Sequence, residues 1–165
     1  MEDNDRRVFT RTTQTPEETE KLAALVGQRV REGTVISLLG DLGMGKTLFV
    51  RSLAKTLGVE GEVTSPTFSL MNIYEGICPI FHFDHYRLEK AEDLEEIGFY
   101  EYVEEPLGIV LIEWADKFPE AMPEEYLTIA FAPLPDNPHG RLITFDCVGK
   151  ENEELLKELD EFCQF

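Results

Sequence analysis

The run TVISLLGDLGMGKTLFVRSLAKTLG, residues 34–58, constrains this chain more than any other stretch. Its centre, GDLGMGKT, puts Gly40, Gly45, Lys46 and Thr47 at every fixed position of G-x-x-x-x-G-K-[ST]. TVISLL before it is a short β-branched apolar run. After it, LFVRSLAKTL sets Phe49, Val50, Leu53 and Leu57 on one side of a helical period, with Gly58 where a helix stop belongs. The order strand, glycine-rich loop, helix is what a phosphate loop requires.

The residue types follow from the chemistry of a polyphosphate. Backbone N–H groups at a helix N-terminus can wrap its oxygens only where no bulky side chain blocks the approach. Lys46 then reaches the β- and γ-phosphates as a point charge, and the Thr47 hydroxyl can ligate a bridging Mg2+. Gly40, Asp41, Leu42, Gly43, Met44, Gly45, Lys46, Thr47 and Leu48 are the candidate nucleotide contacts of this segment.

A chain of 165 residues suits one nucleotide-binding domain over 1–165 with a single sizeable core. No apolar run approaches the length of a membrane span and MEDNDRRVFT is polar rather than leader-like, so a cytoplasmic protein is expected. Cys78, Cys147 and Cys163 share no metal-binding or redox spacing. A net charge of −18, with basic residues scattered, argues against a grip on nucleic acid by this chain alone. Acid concentrates in residues 89–106 and in the closing segment, either as solvated helix faces or as a surface for a basic partner.

Along the chain, VFTRTT reads as an edge strand. TPEETEKLAALVGQRVREG reads as a helix with Thr15 as N-cap, Pro16 first, Glu18 closing a capping box and Gly33 as its stop, its core stripe being Leu22, Leu25, Val26 and Val30. FSLMNIYEG and ICPIFHFDHYRL form a β-hairpin around Glu75 and Gly76. AEDLEEIGFYEYV is one helical segment and GIVLIEW a buried strand. YLTIAFA and RLITFDCV are late strands flanking PLPDNPHG, and an acidic helix covers about 150–163. The fold class is therefore α/β, a P-loop NTPase-like three-layer fold. Its sheet is mixed and mainly parallel, with an antiparallel hairpin and helices on both faces, and the nucleotide belongs at the carboxyl ends of the central strands.

Turnover needs an acid near the metal and a group that positions the attacking oxygen. GIVLIEW runs five apolar residues into Glu113, a Walker-B-like acid by its place, or else an ordinary strand-end glutamate. In FHFDHYR, period-2 alternation puts His82, Asp84 and Tyr86 on one face and Phe81, Phe83, His85 and Arg87 on the other. Asp84 could orient water or hold Mg2+ through water, the trio could be a buried hydrogen-bond network, or the histidines could build a metal site. TSPTF offers Thr64, Ser65 and Thr67 around Pro66, either as a γ-phosphate-sensing switch or as a plain Pro-containing connection. Trp114, the sole tryptophan, is a core aromatic or a reporter of nucleotide state.

GDLGMGKT, TSPTF, HFDHYRL, AEDLEEIG and IEWAD, in this order and spacing, resemble the TsaE (YjeE) family of small bacterial P-loop ATPases from about residue 10 to about residue 132. The resemblance implies ATP/ADP and Mg2+ as cofactors and a weak, partner-dependent ATPase. The implied partners are the TsaD and TsaB proteins, which place threonylcarbamoyl on tRNA. It assigns phosphate contact to Lys46, the metal to Thr47 with Glu113 and Asp84, and catalysis to Asp84, Glu113 and Lys46. Ser65, Pro66 and Thr67 become a nucleotide-sensing loop, and Thr67 and Trp114 join the nucleotide contacts. Met44 and His85 depart slightly from the family pattern, His85 standing where an aliphatic residue is usual. A small-molecule kinase is the alternative; it would need several arginines around two phosphoryl groups, and after Arg51 only Arg87 and Arg141 occur. No N-K-x-D guanine-reading sequence is present.

Overall fold

A computed structural model describes residues 8–164. Residues 1–7, which make up most of the polar MEDNDRRVFT segment, lie outside the described part, as does Phe165. Seven strands form one sheet in the order β1-β7-β6-β2-β5-β4-β3. They are β1 (Phe9–Thr13), β2 (Val35–Leu39), β3 (Met71–Glu75), β4 (Pro79–Asp84), β5 (Ile109–Glu113), β6 (Tyr126–Leu134) and β7 (Asn137–Val148). β6, β2, β5 and β4 run parallel, while β3 pairs antiparallel with β4, β7 with β6, and β1 with β7. The mixed, mainly parallel α/β sheet and the hairpin around Glu75 and Gly76 are as expected.

The central strands are apolar on both faces because both faces are covered. On one side Ile36, Leu38, Ile109 and Leu111 meet α1 (Pro16–Gly27), α2 (Lys46–Thr56) and α5 (Lys150–Phe162) through Leu22, Val26, Phe49, Leu53 and Leu156. On the other, Phe81, Phe83, Val110 and Ile112 pack on α3 (Glu92–Glu96) and α4 (Phe99–Glu104). α2 ends in a Schellman arrangement, Gly58 N–H donating to Lys55 O and Val59 N–H to Ala54 O. The acidic α5 finds basic partners inside the chain: Arg11 pairs with Asp160 at 2.8 Å, Arg31 with Glu158 at 2.7 Å, and the Arg29 guanidinium lies 4.0 Å from the Phe162 ring centroid. Among the described residues no helix is long and apolar enough to cross a membrane.

Three boundaries differ from the sequence reading. α1 stops at Gly27, not Gly33: three-residue bonds from Gln28 N–H to Leu25 O and from Arg29 N–H to Val26 O tighten its end. Val30 stays buried outside the helix, and Gly33 lies in the turn that enters β2. The segment 91–103 is two short helices rather than one, broken at Gly98, whose φ of +74° a side chain would resist. PLPDNPHG is mostly strand, with only Pro135 and Asp136 left as the turn. Its prolines are tolerated because β1 pairs with β7 only as far as Arg141, so Pro138 faces no third strand that needs its missing N–H.

The alternation in FHFDHYR holds as far as His85. That ring is fully buried against Phe83, Phe99 and Phe118, and neither ring nitrogen has a hydrogen-bond partner. Burial, with Lys117 nearby, pushes its pKa down to about 4. His85 therefore stays neutral in the fold while the unfolded chain protonates near 6.5, so it withdraws stability as pH falls from about 6.5 to about 4. His85→Leu should stabilise the protein in urea unfolding, and by about 2 kcal/mol more at pH 5 than at pH 7.5. An equal effect at both pH values would contradict this reading.

Candidate functional site

The parallel register sets the site. Leu38 of β2 lies beside Glu113 of β5, and Glu113 beside Asp84 of β4, so two acids stand at neighbouring carboxyl ends where the glycine-rich loop leaves β2. Gly45 caps α2 at φ +98°, which turns the chain directly into the helix. The N–H groups of Lys46, Thr47 and Leu48 precede the intrahelical ladder, and Phe49 N–H donates to Gly45 O. A cleft of about 130 Å³ opens there, lined by Leu42, Gly43, Gly45, Lys46, Thr47, Ser65, Thr67, Asp84, Glu113 and Trp114.

Lys46 is only 5% exposed. Burial lowers its pKa from the usual lysine range, opposed by the charges of Glu113, Asp84, Asp116 and Asp41. Its ammonium donates to Gly40 O and sits 4.3 Å from the Trp114 ring centroid. Trp114 adopts φ +62°, a conformation rare for a bulky residue, and its ring lies 4.9 Å from that of Tyr86. Tyr86 itself follows the end of β4 and is exposed, so it leaves the buried stripe formed by His82 and Asp84.

Asp84 Oδ2 accepts from Thr67 Oγ1 at 3.0 Å and Oδ1 from Tyr86 N–H at 2.8 Å. Thr67 Oγ1 lies 2.7 Å from Ser65 Oγ. Glu113 Oε2 meets His82 Nε2 at 2.7 Å, and His82 Nδ1 lies 3.0 Å from the Tyr74 phenol. Asp84 thus belongs to one hydrogen-bonded set with Thr67 and Ser65, and His82 to a second with Glu113 and Tyr74, and both sets reach the cleft lining. Among the described residues no three His, Cys, Asp or Glu groups cluster as a metal cage. Two carboxylates and the Thr47 hydroxyl on one cleft are hard oxygen donors, a set that fits Mg2+ shared with phosphate oxygens and water rather than a histidine metal site.

Of the candidate residues, Leu42, Gly43, Gly45, Lys46, Thr47, Thr67, Asp84, Glu113 and Trp114 converge on the cleft. Asp41 points to solvent, Met44 packs against the core, Gly40 holds Lys46, and the Leu48 side chain is half-buried away from the lining. Two contributors escaped the sequence reading. Arg141 of β7 donates to Met44 O at 2.9 Å and to Gly43 O at 3.1 Å, bracing the loop from two strands away, and nothing local in RLITFDCV signals it. Tyr74 could have been found only from the hairpin register, which the turn sequence leaves open.

An α/β protein of the P-loop NTPase-like class is what this fold and cleft define. The family model described as "Threonylcarbamoyl adenosine biosynthesis protein TsaE" matches residues 13–141, and the chain belongs to that family. Similar curated proteins include the tRNA threonylcarbamoyladenosine biosynthesis protein TsaE of Bacillus subtilis, 40% identical over 148 residues, covering 89% of this chain and 90% of the relative. The protein of the same name from Treponema pallidum is 40% identical over 120 residues, covering 73% and 88%. The crystal structure of Bacillus subtilis YdiB superposes with a TM-score of 0.78 at 34% identity, covering 94% of this chain and 96% of that one.

The Arg141 brace is testable by itself. Arg141→Ala removes charge-assisted bonds to two loop carbonyls, so amide exchange at Gly43 to Gly45 should rise about tenfold or more while core strands keep their protection. Unchanged exchange in the loop would show that it is held by other contacts.

Proposed function

We propose that this chain, as one nucleotide-binding domain in the cytoplasm, binds ATP and ADP with Mg2+ and slowly hydrolyses ATP. It would serve the tRNA threonylcarbamoyladenosine machinery named in its relatives' descriptions, driving or resetting a complex with the TsaD and TsaB proteins. The observation that carries the reading is the convergence of Lys46, Thr47, Asp84 and Glu113 on one cleft at the N-terminus of α2.

The N–H groups of Lys46, Thr47 and Leu48 supply fixed partial positive charge for phosphate oxygens, and the Lys46 ammonium adds a full charge from a buried position. Mg2+ held by Thr47 with Asp84 and Glu113 would neutralise charge developing on the phosphates. Glu113 and Asp84 can accept a hydrogen bond from the attacking water, Asp84 with its orientation already fixed by Thr67 and Tyr86. Thr67 ties the TSPTF loop to that acid, which suits a loop that senses the γ-phosphate. The kinase reading loses support because Arg141 is engaged on loop carbonyls and Arg87 lies over the Phe68 ring. Of the segment His82–Arg87, only Tyr86 and Arg87 reach the surface, so partners would read nucleotide state there and at Thr67 and Phe68.

Lys46→Ala should abolish tight ATP binding in calorimetry while leaving the fold intact, and undiminished affinity would sink the phosphate assignment. Asp84→Asn and Glu113→Gln should keep most of the ATP affinity and lose turnover tenfold or more, about 1.4 kcal/mol of barrier. Parallel loss of binding and folding would make the acids structural instead. Because the net charge is −18, the isolated chain should show no tRNA binding in an anisotropy titration at physiological salt. Micromolar, salt-sensitive binding would contradict delivery of tRNA through the protein partners.

A further inference from the structure

Below the cleft, Glu113 is one end of a continuous hydrogen-bonded line. Its Oε2 is 2.7 Å from His82 Nε2, His82 Nδ1 is 3.0 Å from the Tyr74 phenol, and that phenol is 2.9 Å from the carbonyl oxygen of Thr64. Thr64 directly precedes Ser65, and Ser65 and Thr67 both line the cleft. His82 is wholly buried and Tyr74 nearly so, both against the apolar cluster that includes Ile80 and Leu111. The line therefore leaves the cleft at Glu113, passes through the core and ends one residue short of Ser65, which lines the same cleft.

Counting protons gives it a direction. A carboxylate only accepts, so His82 Nε2 carries the hydrogen that faces Glu113, and Nδ1 is left to pair with the Tyr74 phenol. The Tyr74 hydroxyl donates to Thr64 O, and its oxygen faces His82 Nδ1. Asn72 Nδ2 lies 3.2 Å from Thr64 O and 3.3 Å from the phenol, a second donor that can serve the carbonyl when Tyr74 does not. Where Thr64 stands thus decides how firmly the ring, and with it Glu113, is fixed. The line thus ties an acid that lines the cleft to the residue beside Ser65, at the start of the loop that also lines it.

We propose that Tyr74 and His82 are positioning residues that couple the placement of the Thr64–Thr67 loop to the orientation of Glu113. The proposal rests on the catalytic reading of Glu113 given above. It makes the sensing loop and the acid one mechanical unit, linked beneath the nucleotide rather than through it.

The test is a double-mutant cycle on kcat and KM for magnesium–ATP. Tyr74→Phe keeps the ring and removes the bridge, so kcat should fall about three- to tenfold with KM within about twofold. His82→Gln retains an amide donor toward Glu113 but not the link to Tyr74, and Tyr74→Phe should cost nothing further in that background. In the ligand-free protein, the His82 Nδ1 resonance should move toward that of an unbonded ring nitrogen in Tyr74→Phe. Unchanged kcat, an equal loss in both backgrounds, or an unmoved nitrogen signal would each overturn the coupling. Glu113→Gln measured alongside separates the two claims. If it too leaves kcat unaltered, the catalytic reading fails and the coupling with it; if it alone lowers kcat, only the coupling fails.

Discussion

A buried ammonium needs counter-charge, and the placement of Lys46 is the constraint around which this molecule is arranged. Desolvation works against the charged form of Lys46, and the charges of Glu113 and Asp84 oppose that loss. Those acids reach it only because β2, β5 and β4 run parallel in a register that brings their carboxyl ends together. An antiparallel β5 would send Glu113 to the opposite end of the strands, away from Lys46. The topology, the two covered faces and the apolar strand interiors all serve that alignment.

Rigidity around the site is uneven. α2 is anchored by its buried face and by the bonds at Gly58, and the glycine-rich loop is braced from β7 by Arg141. The Thr64–Thr67 loop is held mostly by side-chain contacts, to Asp84, Asn72 and Tyr74. Such contacts exchange more readily than a sheet ladder. The exposed Leu42, Phe68 and Tyr86 line a neighbouring groove that shares Leu42 and Thr67 with the cleft, so a change in the loop would alter a surface as well as a site.

The parts of this arrangement legible in the sequence were those encoded locally. Lys46 and Thr47 follow from a motif with its strand and helix attached, and Glu113 from an apolar run ending in an acid. Asp84 follows from alternation that sets a polar stripe against phenylalanines. What could not be read depends on distant packing. Arg141 reaches the loop only because β6 and β7 lie beside β2, an order no local pattern dictates. Tyr74 meets His82 through a hairpin register, and α1 ends at Gly27 although Gly33 carries the plainer stop signal. Gly98, read as part of a helix, breaks it because its backbone is left-handed.

The central claim is that this one cleft receives the triphosphate on the loop at α2 and presents it to both acids. A crystal structure of the full chain with Mg2+ and a non-hydrolysable ATP analogue tests it most directly. The account predicts the β- and γ-phosphates on the N–H groups of Lys46 to Leu48, with the cation near Thr47 and reached by Asp84 or Glu113 directly or through water. Triphosphate bound elsewhere, or a cation remote from both acids, would contradict it.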